Sequence, residues 1–408
     1  MAPTLMDERC ERLLPIGPTE TRPMTLSAAL VSPAPEPLDL DAVLQSVTLA
    51  LAATAGEHDR LGTFPAANFA LLHEHGLLAL TVPRALGGTG ADLPTARKVI
   101  AAVAKGEPST ALILVMQYLQ HLRLQDDQRW PLALRQRLGR DAVEHGALIN
   151  AFRVEPDLGT PARGGLPATL ARRTAEGWRL SGSKQYCTGS HGLSWYLVWA
   201  RSDDADPLVG GFLVHKDSPG IRIIDEWDHL GMRATCSHLV EFDDVLLPLD
   251  HAVAVSPASE PQPVFDGEAM IWMSVLLGGL YDAVAHAARD WLVEFLQQRV
   301  PTNLGKPLST LPRFQEVVGR IDTLLFANQH LLDSAAAGQM ATSHAGQLKQ
   351  LVSANAIKAV ELAIEAAGNP GLSRKNPLER HLRNVLCSRV HTPQDDVVLA
   401  AAGRSALG

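Results

Sequence analysis

His391 opens the run His391-Thr392-Pro393-Gln394-Asp395-Asp396, and an imidazole with an unperturbed pKa of about 6.5 can both take and give a proton near neutrality. Taken alone after a helix, such a histidine reads equally well as a cap or a surface group. Arg299 ends a long helical stretch, and Gln315 begins the next after a connection holding Pro301, Gly305 and Pro307. A guanidinium there could make paired, charge-assisted bonds to phosphate oxygens, or simply be a solvated cation at a helix C-terminus. Gly368-Asn369-Pro370-Gly371 closes another helix. Glycine followed by proline is an ordinary helix stop. Cys10, Cys187, Cys236 and Cys387 form no CxxC pair, which argues against a zinc ribbon and a disulfide framework. Cys187 has no thiolate-stabilising neighbour in its local sequence. His73 with His75, and His229 with His238, are too little supported by neighbouring ligands for a metal site to be expected.

These residues must be positioned by elements that fall into three blocks. Residues 1–38 are rich in proline and polar groups, carry no periodic apolar face, and are expected to be a fraying, flexible tail dispensable for folding. Residues 39–147 read as helical: Leu71, Leu72, His75 and Leu78 recur at three-to-four spacing, and Ala101 to Leu119 is a long apolar helix interrupted by Gly106-Glu107-Pro108. Residues 148–257 change character. Trp178 to Gly182, Trp195 to Ala200, Gly211 to His215 and His238 to Phe242 alternate or run apolar between Gly, Pro and Asp turns, as antiparallel strands do. Residues 258–408 return to helix, over Glu268–Leu296, Pro312 to about Gln339, Leu348–Ala367 and Leu378 to about Arg389. Strands do not alternate with helices, so the fold class is α+β, not a doubly wound sheet.

The whole chain has 408 residues, 46% of them apolar, with 36 basic against 44 acidic residues and a net charge of -8. Phosphate backbones require a clustered basic surface, so nucleic acid is not an expected partner. The N-terminus carries Asp7, Glu8 and Glu11 and is broken by Pro15, Pro18 and Pro23, which a signal-peptide core would not tolerate. With its unpaired cysteines the chain is expected in a reducing cytoplasm. The longest apolar run, Ile271 to Tyr281, is shorter than the roughly 20 residues of a membrane span and is expected to be a core helix, with no membrane contact.

The three-block order and the segments within it resemble the acyl-CoA dehydrogenase superfamily from about Asp59 to Asp396. Val82-Pro83 through Gly87-Gly88-Thr89-Gly90 is similar to its "P-x-x-x-G-G-x-G" loop, Glu155-Pro156-Asp157-Leu158-Gly159-Thr160 to "T-E-P-x-x-G-S", and Lys184-Gln185-Tyr186-Cys187-Thr188-Gly189 to "K-x-W-I-T-N". Gly231-Met232-Arg233-Ala234-Thr235, Phe242-Asp243-Asp244-Val245 and Gly368-Asn369-Pro370-Gly371 follow in the family's order. The resemblance implies an N-terminal helical domain, a central antiparallel β domain and a C-terminal four-helix bundle that assembles into a homo-oligomer, a tetramer. It implies a flavin cofactor, FMN or FAD, flanked by Phe152 to Val154 and by Tyr186 to Thr188, with the Thr188 hydroxyl near the ring's N5 edge and Thr160 on the phosphate side. Arg299 would reach the flavin phosphates of a neighbouring subunit, Gln315 the adenosine portion, and the main chain of Gly368, Asn369 and Gly371 would approach the cofactor. Without the resemblance, Phe152, Tyr186 and Thr188 are ordinary strand residues.

Two departures bear on the reaction. Removing the α-proton of an acyl thioester takes a carboxylate base, yet the family's register puts Thr392 at the usual glutamate and Met273 at the alternative one; Glu268 or Asp266 would need a shift of more than a helical turn. The run from His391 is instead similar to the "H-T-x-x-D" segment of the flavin monooxygenases that share this fold, the dibenzothiophene monooxygenase branch, and Tyr186-Cys187-Thr188-Gly189 is nearer to their "F-C-S-G". The resemblance therefore implies a reduced-flavin-dependent monooxygenase acting on a small organic molecule, with His391 catalytic and a separate flavin reductase as a possible partner. An FAD-dependent acyl-CoA dehydrogenase with a non-standard base, and a non-catalytic binding or assembly paralogue, are the alternatives. His121 and Gln117 lie near the helix that lines the family's substrate cavity, and a histidine on such a mixed face is read as structural.

Overall fold

The structure is a computed structural model and describes residues 39–158, 165–260 and 267–408. The 1–38 tail, Cys10, Gly159, Thr160 and Asp266 lie outside the described residues. Helices α1 (Leu40–Leu61), α2 (Ala66–Glu74), α3 (Leu93–Gly106), α4 (Pro108–Asp126) and α5 (Leu132–His145) come first. The interruption at Gly106-Glu107-Pro108 is a full break between α3 and α4. Glu107 caps α4, its carboxylate accepting from the amides of Ser109 at 3.0 Å and Thr110 at 2.6 Å, and Pro108 supplies a φ suited to the first helical position.

Strands β1 (Ile149–Phe152), β2 (Leu170–Arg173), β3 (Trp178–Lys184), β4 (Trp195–Ser202), β5 (Leu208–His215), β6 (Ile221–Ile224), β7 (Leu239–Leu247) and β8 (Ala252–Pro257) form one sheet in the order β6-β7-β3-β2-β4-β5-β8, with β1 also on β4. The α+β class holds, and the antiparallel pattern holds along most of the sheet. Two pairings differ. β1 and β2 both run parallel to β4, with Ile149 opposite Trp195 and Leu170 opposite Arg201. Parallel strands need a long connection, and the excursion from β1 through β2 and β3 provides it.

Helices α6 (Gly267–Gln298), α7 (Pro312–Ala336), α8 (Ala345–Ala367), α9 (Asn369–Leu372), α10 (Leu378–Leu386) and α11 (Asp395–Leu407) follow; α11 was not among the expected helices. α6 packs against α7, α8 and α10 and against α3 and α4 of the first block. By length and composition α6 could cross a membrane, more than its apolar run alone implied. Its most apolar window is 83% buried inside the fold, as in a core helix. Leu51, Val99, Val115, Phe152, Val198, Leu276, Val352 and Val385 belong to one apolar core that draws on all three blocks, beside two smaller buried clusters.

One corner ties all three together. Arg383 on α10 makes a two-pronged ion pair with Asp59 on α1 (2.9 and 2.6 Å), pairs with Glu379 and donates to the Leu230 carbonyl at 2.9 Å. Met232 donates its amide to Asn384 Oδ1 at 2.8 Å. The approach is so close that a Cβ on Gly231 would lie 2.2 Å from the Arg383 carbonyl oxygen, so only glycine fits there.

Candidate active site

β3 delivers the first part of the site. Its last residue, Lys184, is fully buried and bonded at 2.6 Å to Glu155, which also accepts from Thr169 Oγ1 at 2.6 Å and from the amides of Ala168 and Thr169. Two segments that the sequence offers separately are thus held by one buried ion pair. Beyond Lys184 the backbone leaves the ladder. Tyr186 takes φ 57, and on the facing segment Met232 takes φ 53 and Cys236 φ 45. Left-handed backbone in non-glycine residues is costly and gathers at functional sites. Between these segments Thr188 Oγ1 accepts from Ser237 Oγ at 3.1 Å, Ser237 lies 2.8 Å from Thr235 Oγ1, and Asn150 on β1 donates to the Thr188 carbonyl at 3.0 Å. Tyr186 is half exposed and stands edge-on to Trp227 and His229. Cys187 is fully buried and burial pushes its thiol well above the usual range, so the expectation that it is no nucleophile agrees with its surroundings.

A second cluster stands on α6 and the turn after α10. The Tyr281 hydroxyl, on the buried face of α6, lies 2.6 Å from His391 Nδ1. Burial holds the phenol well above its ordinary value, and burial together with the nearby Lys349 ammonium lowers the His391 imidazole to about 4. Both groups are therefore neutral at pH 7. A phenol that donates to Nδ1 fixes the tautomer in which the imidazole's own proton sits on Nε2. The fully buried Lys349 of α8 fixes the turn by donating to the carbonyls of Ser388 at 2.7 Å and His391 at 2.9 Å. Thr392 is exposed and Met273 is buried and apolar; Glu268 is exposed in the first turn of α6. Among the described residues, the expected base positions thus carry no carboxylate.

The other expected residues lie as follows. The Phe152 side chain is buried against Tyr196, ring centroids 4.9 Å apart, so only its main chain is left for a ligand. The Val154 carbonyl accepts from the Gln185 amide at 2.9 Å. Arg299 is exposed just past α6, and its carbonyl accepts from Leu308 at 3.0 Å. Gln315 is exposed and donates to the Ser309 carbonyl at 3.1 Å. Those two flank one connection, whereas Gly368, Asn369 and Gly371 lie at the end of α8, where Gly368 takes φ 66. Gln117 fastens β1 to the helical block, accepting from the Ile149 amide at 2.8 Å and donating to the Ala147 carbonyl at 3.1 Å. His121, 3.0 Å from the Gln117 amide nitrogen, is buried with it. Tyr281, Lys349, Asn150 and Ser237 went unnoticed in the sequence, because no spacing connects them to the residues they touch.

Three neutral histidines make the fold acid-sensitive. Burial lowers His121 to about 4 and, with Arg380 close by, His381 to about 3; His391 lies at about 4. Each folded value is below the unfolded value of about 6.5, so the unfolded chain takes the protons first, and stability falls as pH drops below about 6.5 and down toward 4 and 3. At about 1.4 kcal/mol per proton per pH unit, the combined slope near pH 5 is on the order of 4 kcal/mol per pH unit. Urea unfolding at pH 7.5, 6 and 5 should show the midpoint dropping steeply; equal midpoints would refute neutral burial.

Known proteins share both sequence and architecture with this chain. Sequence patterns of the acyl-CoA dehydrogenase N-terminal, middle and C-terminal domains match residues 40–122, 153–245 and 282–395. The chain belongs to the acyl-CoA dehydrogenase family. Its relatives include the putative acyl-CoA dehydrogenase YdbM of Bacillus subtilis (strain 168), 31% identical over 353 residues, covering 85% of this chain and 91% of that protein. L-evernosamine nitrososynthase of Micromonospora sp. is 31% identical, over 70% of this chain and 66% of that protein. KijD3, solved in complex with FMN and dTDP-3-amino-2,3,6-trideoxy-4-keto-3-methyl-D-glucose, superposes with a TM-score of 0.76 at 29% identity, covering 92% of this chain and 95% of that one. With membership of the acyl-CoA dehydrogenase family comes the class of enzyme, an oxidoreductase.

Proposed function

We propose that this enzyme is a reduced-flavin-dependent monooxygenase acting on a small organic molecule. The observation that carries the reading is the 2.6 Å bond from Tyr281 to His391 Nδ1. With the phenol donating, Nε2 carries the N–H, able to hydrogen-bond an oxygen on which negative charge develops, and unable in that tautomer to accept a substrate proton. A dehydrogenase needs an acceptor at this place, and neither Thr392 nor Met273 is one. The donor set around Thr188 suits a flat ring with polar edges: hydroxyls of Thr188 and Ser237, main chain of Phe152 to Val154, and aromatic side chains of Tyr186 and Trp227. A flavin held there, FMN or FAD, supplies the two electrons with which dioxygen is activated. Thr188 and Tyr186 would hold its ring, and Thr160 its phosphate side. Arg299 from a neighbouring subunit would pair with its phosphates, with Gln315 and the main chain of Gly368, Asn369 and Gly371 completing the contact. The reading therefore includes a homotetramer, a cytoplasmic site of action and a separate flavin reductase that delivers reduced flavin.

The test is to mix the protein with oxidised and with chemically reduced FMN and FAD, measure both affinities, and follow oxygen consumption with a dTDP-amino sugar as first trial substrate. Tighter binding of reduced flavin and substrate-dependent oxygen uptake are expected. Tightly held yellow FAD that is bleached by an acyl-CoA would replace this reading with the dehydrogenase one. Arg299→Ala should weaken flavin binding by about 1.5 to 3 kcal/mol, the range for a hydrogen bond to a charged group; unchanged affinity in a folded variant would remove Arg299 from the site.

A further inference from the structure

The sequence pairs His238 only with His229 and argues for no metal, but the fold brings other ligands to it. His191 arrives from the turn after Thr188, Cys236 and His238 from the segment leading into β7, and Asp225 from the chain after β6. One nitrogen of each histidine and Cys236 Sγ all lie within 4.8 Å of one another. The two imidazole rings are 4.5 Å apart, and His191 Nε2 and His238 Nε2 converge on a single oxygen, Asp225 Oδ1, at 2.9 and 3.6 Å. Cys236 and His238 are buried, while His191 and Asp225 border an open cavity of about 420 Å³ next to Trp227. The arrangement thus has an inner wall of sulfur and nitrogen, an outer carboxylate and an entry path.

We infer that His191, Cys236 and His238, with Asp225 or water as fourth ligand, form a binding site for one zinc-class divalent ion. The ligand set selects the metal: thiolate and imidazole favour zinc or cobalt over magnesium and calcium, which prefer all-oxygen shells. A tetrahedral zinc ion with bonds of about 2.0 to 2.3 Å keeps its ligand atoms about 3.3 to 3.8 Å apart, so a contraction of about 1 Å closes the site. On binding, the Cys236 thiol proton leaves to solvent and the sulfur coordinates as thiolate. The proton on His238 Nε2 moves to Nδ1, and the 3.2 Å bond that Trp227 N–H now donates to Nδ1 is given up. Loss of that bond makes the site one of moderate affinity and moves Trp227 when the ion enters. The ion would tie the turn after Thr188 to the strained segment at Cys236, acting as a clamp on the wall of the proposed flavin site; the binding claim itself does not depend on that site's reaction.

The experiment is titration of the chelator-treated full chain, free of flavin, with Co²⁺ and with Zn²⁺. One equivalent of Co²⁺ should give the intense visible bands of a tetrahedral ion together with a thiolate-to-metal charge-transfer band in the near ultraviolet, and Zn²⁺ should displace it. Tryptophan emission should change with the same stoichiometry. Cys236→Ser should abolish the charge-transfer band, and His191→Asn, at the more exposed ring, should weaken binding at least tenfold. Visible bands without a sulfur band in the parent protein, no binding of one equivalent, or an unchanged charge-transfer band in Cys236→Ser would each overturn the inference. If Cys236→Ser fails to fold, His191→Asn decides it: unchanged affinity in that variant rejects the site.

Discussion

Replacing His391 with alanine is expected to lower turnover by roughly a hundredfold to a thousandfold, the usual cost of removing one hydrogen-bond donor to developing negative charge, while flavin binding persists. Tyr281→Phe should show a smaller loss of the same kind, because the ring stays in place and only its tautomer is released. Since burial and Lys349 hold His391 at about 4, the ring is neutral across about pH 5.5 to 8, and its own titration should add no limb to the rate profile there. A rate that rises or falls through neutrality with the His391 side chain present, and loses that dependence in His391→Ala, would mean that the imidazole is charged or unlocked in the working enzyme. Full activity in His391→Ala with a dead Glu268→Gln variant would return the base to α6 and favour the dehydrogenase reading.

The largest stability effect should come from the ion pair under β3. Burial lowers the Lys184 ammonium even as Glu155 opposes it; at Glu155 burial acts upward, and the bonds from Lys184 and Thr169 outweigh it and bring the carboxyl down. Lys184→Met leaves Glu155 buried with no countercharge and should cost about 3 to 5 kcal/mol. Combining it with Glu155→Gln removes both charges and keeps an acceptor for one of the two amides, Ala168 or Thr169, which bond different oxygens of Glu155, so part of the loss should return. Denaturant midpoints of the two single variants and the double variant measure this, and a double variant no better than Lys184→Met alone would show that the pair matters through packing and not charge.

These residues also mark how far the chain could be read without its structure. Glu155 and Lys184 are visible as parts of two separate motifs, and the helix, strand, helix order follows from periodicity, because both properties are local. The break at Glu107 is written in its own neighbours. The parallel contact of β1 with β4 is not legible, since nothing in a four-residue strand encodes which distant edge it joins. Tyr281 and His391 are 110 positions apart, and neither sequence neighbourhood mentions the other. The same holds for His191, Cys236 and Asp225, whose meeting depends on two loops folding toward one another. Chemistry built from side chains on different elements is hidden in this way, whereas chemistry within one segment is not.

The corner at Gly231 has a consequence for how the chain is made. Asp59 is synthesised before its partner Arg383, which lies 324 residues further along. At about 5 to 20 residues per second on the ribosome, the first helix waits on the order of 16 to 65 s for the guanidinium that anchors it. Throughout most of that interval α6, whose apolar length later lies between α3, α4 and the rest of the bundle, is either unmade or only partly covered. The nascent chain therefore cannot close this corner before α10 is made. Until α6 is in place, the faces of α3 and α4 that meet it are the surfaces a chaperone would have most reason to shield.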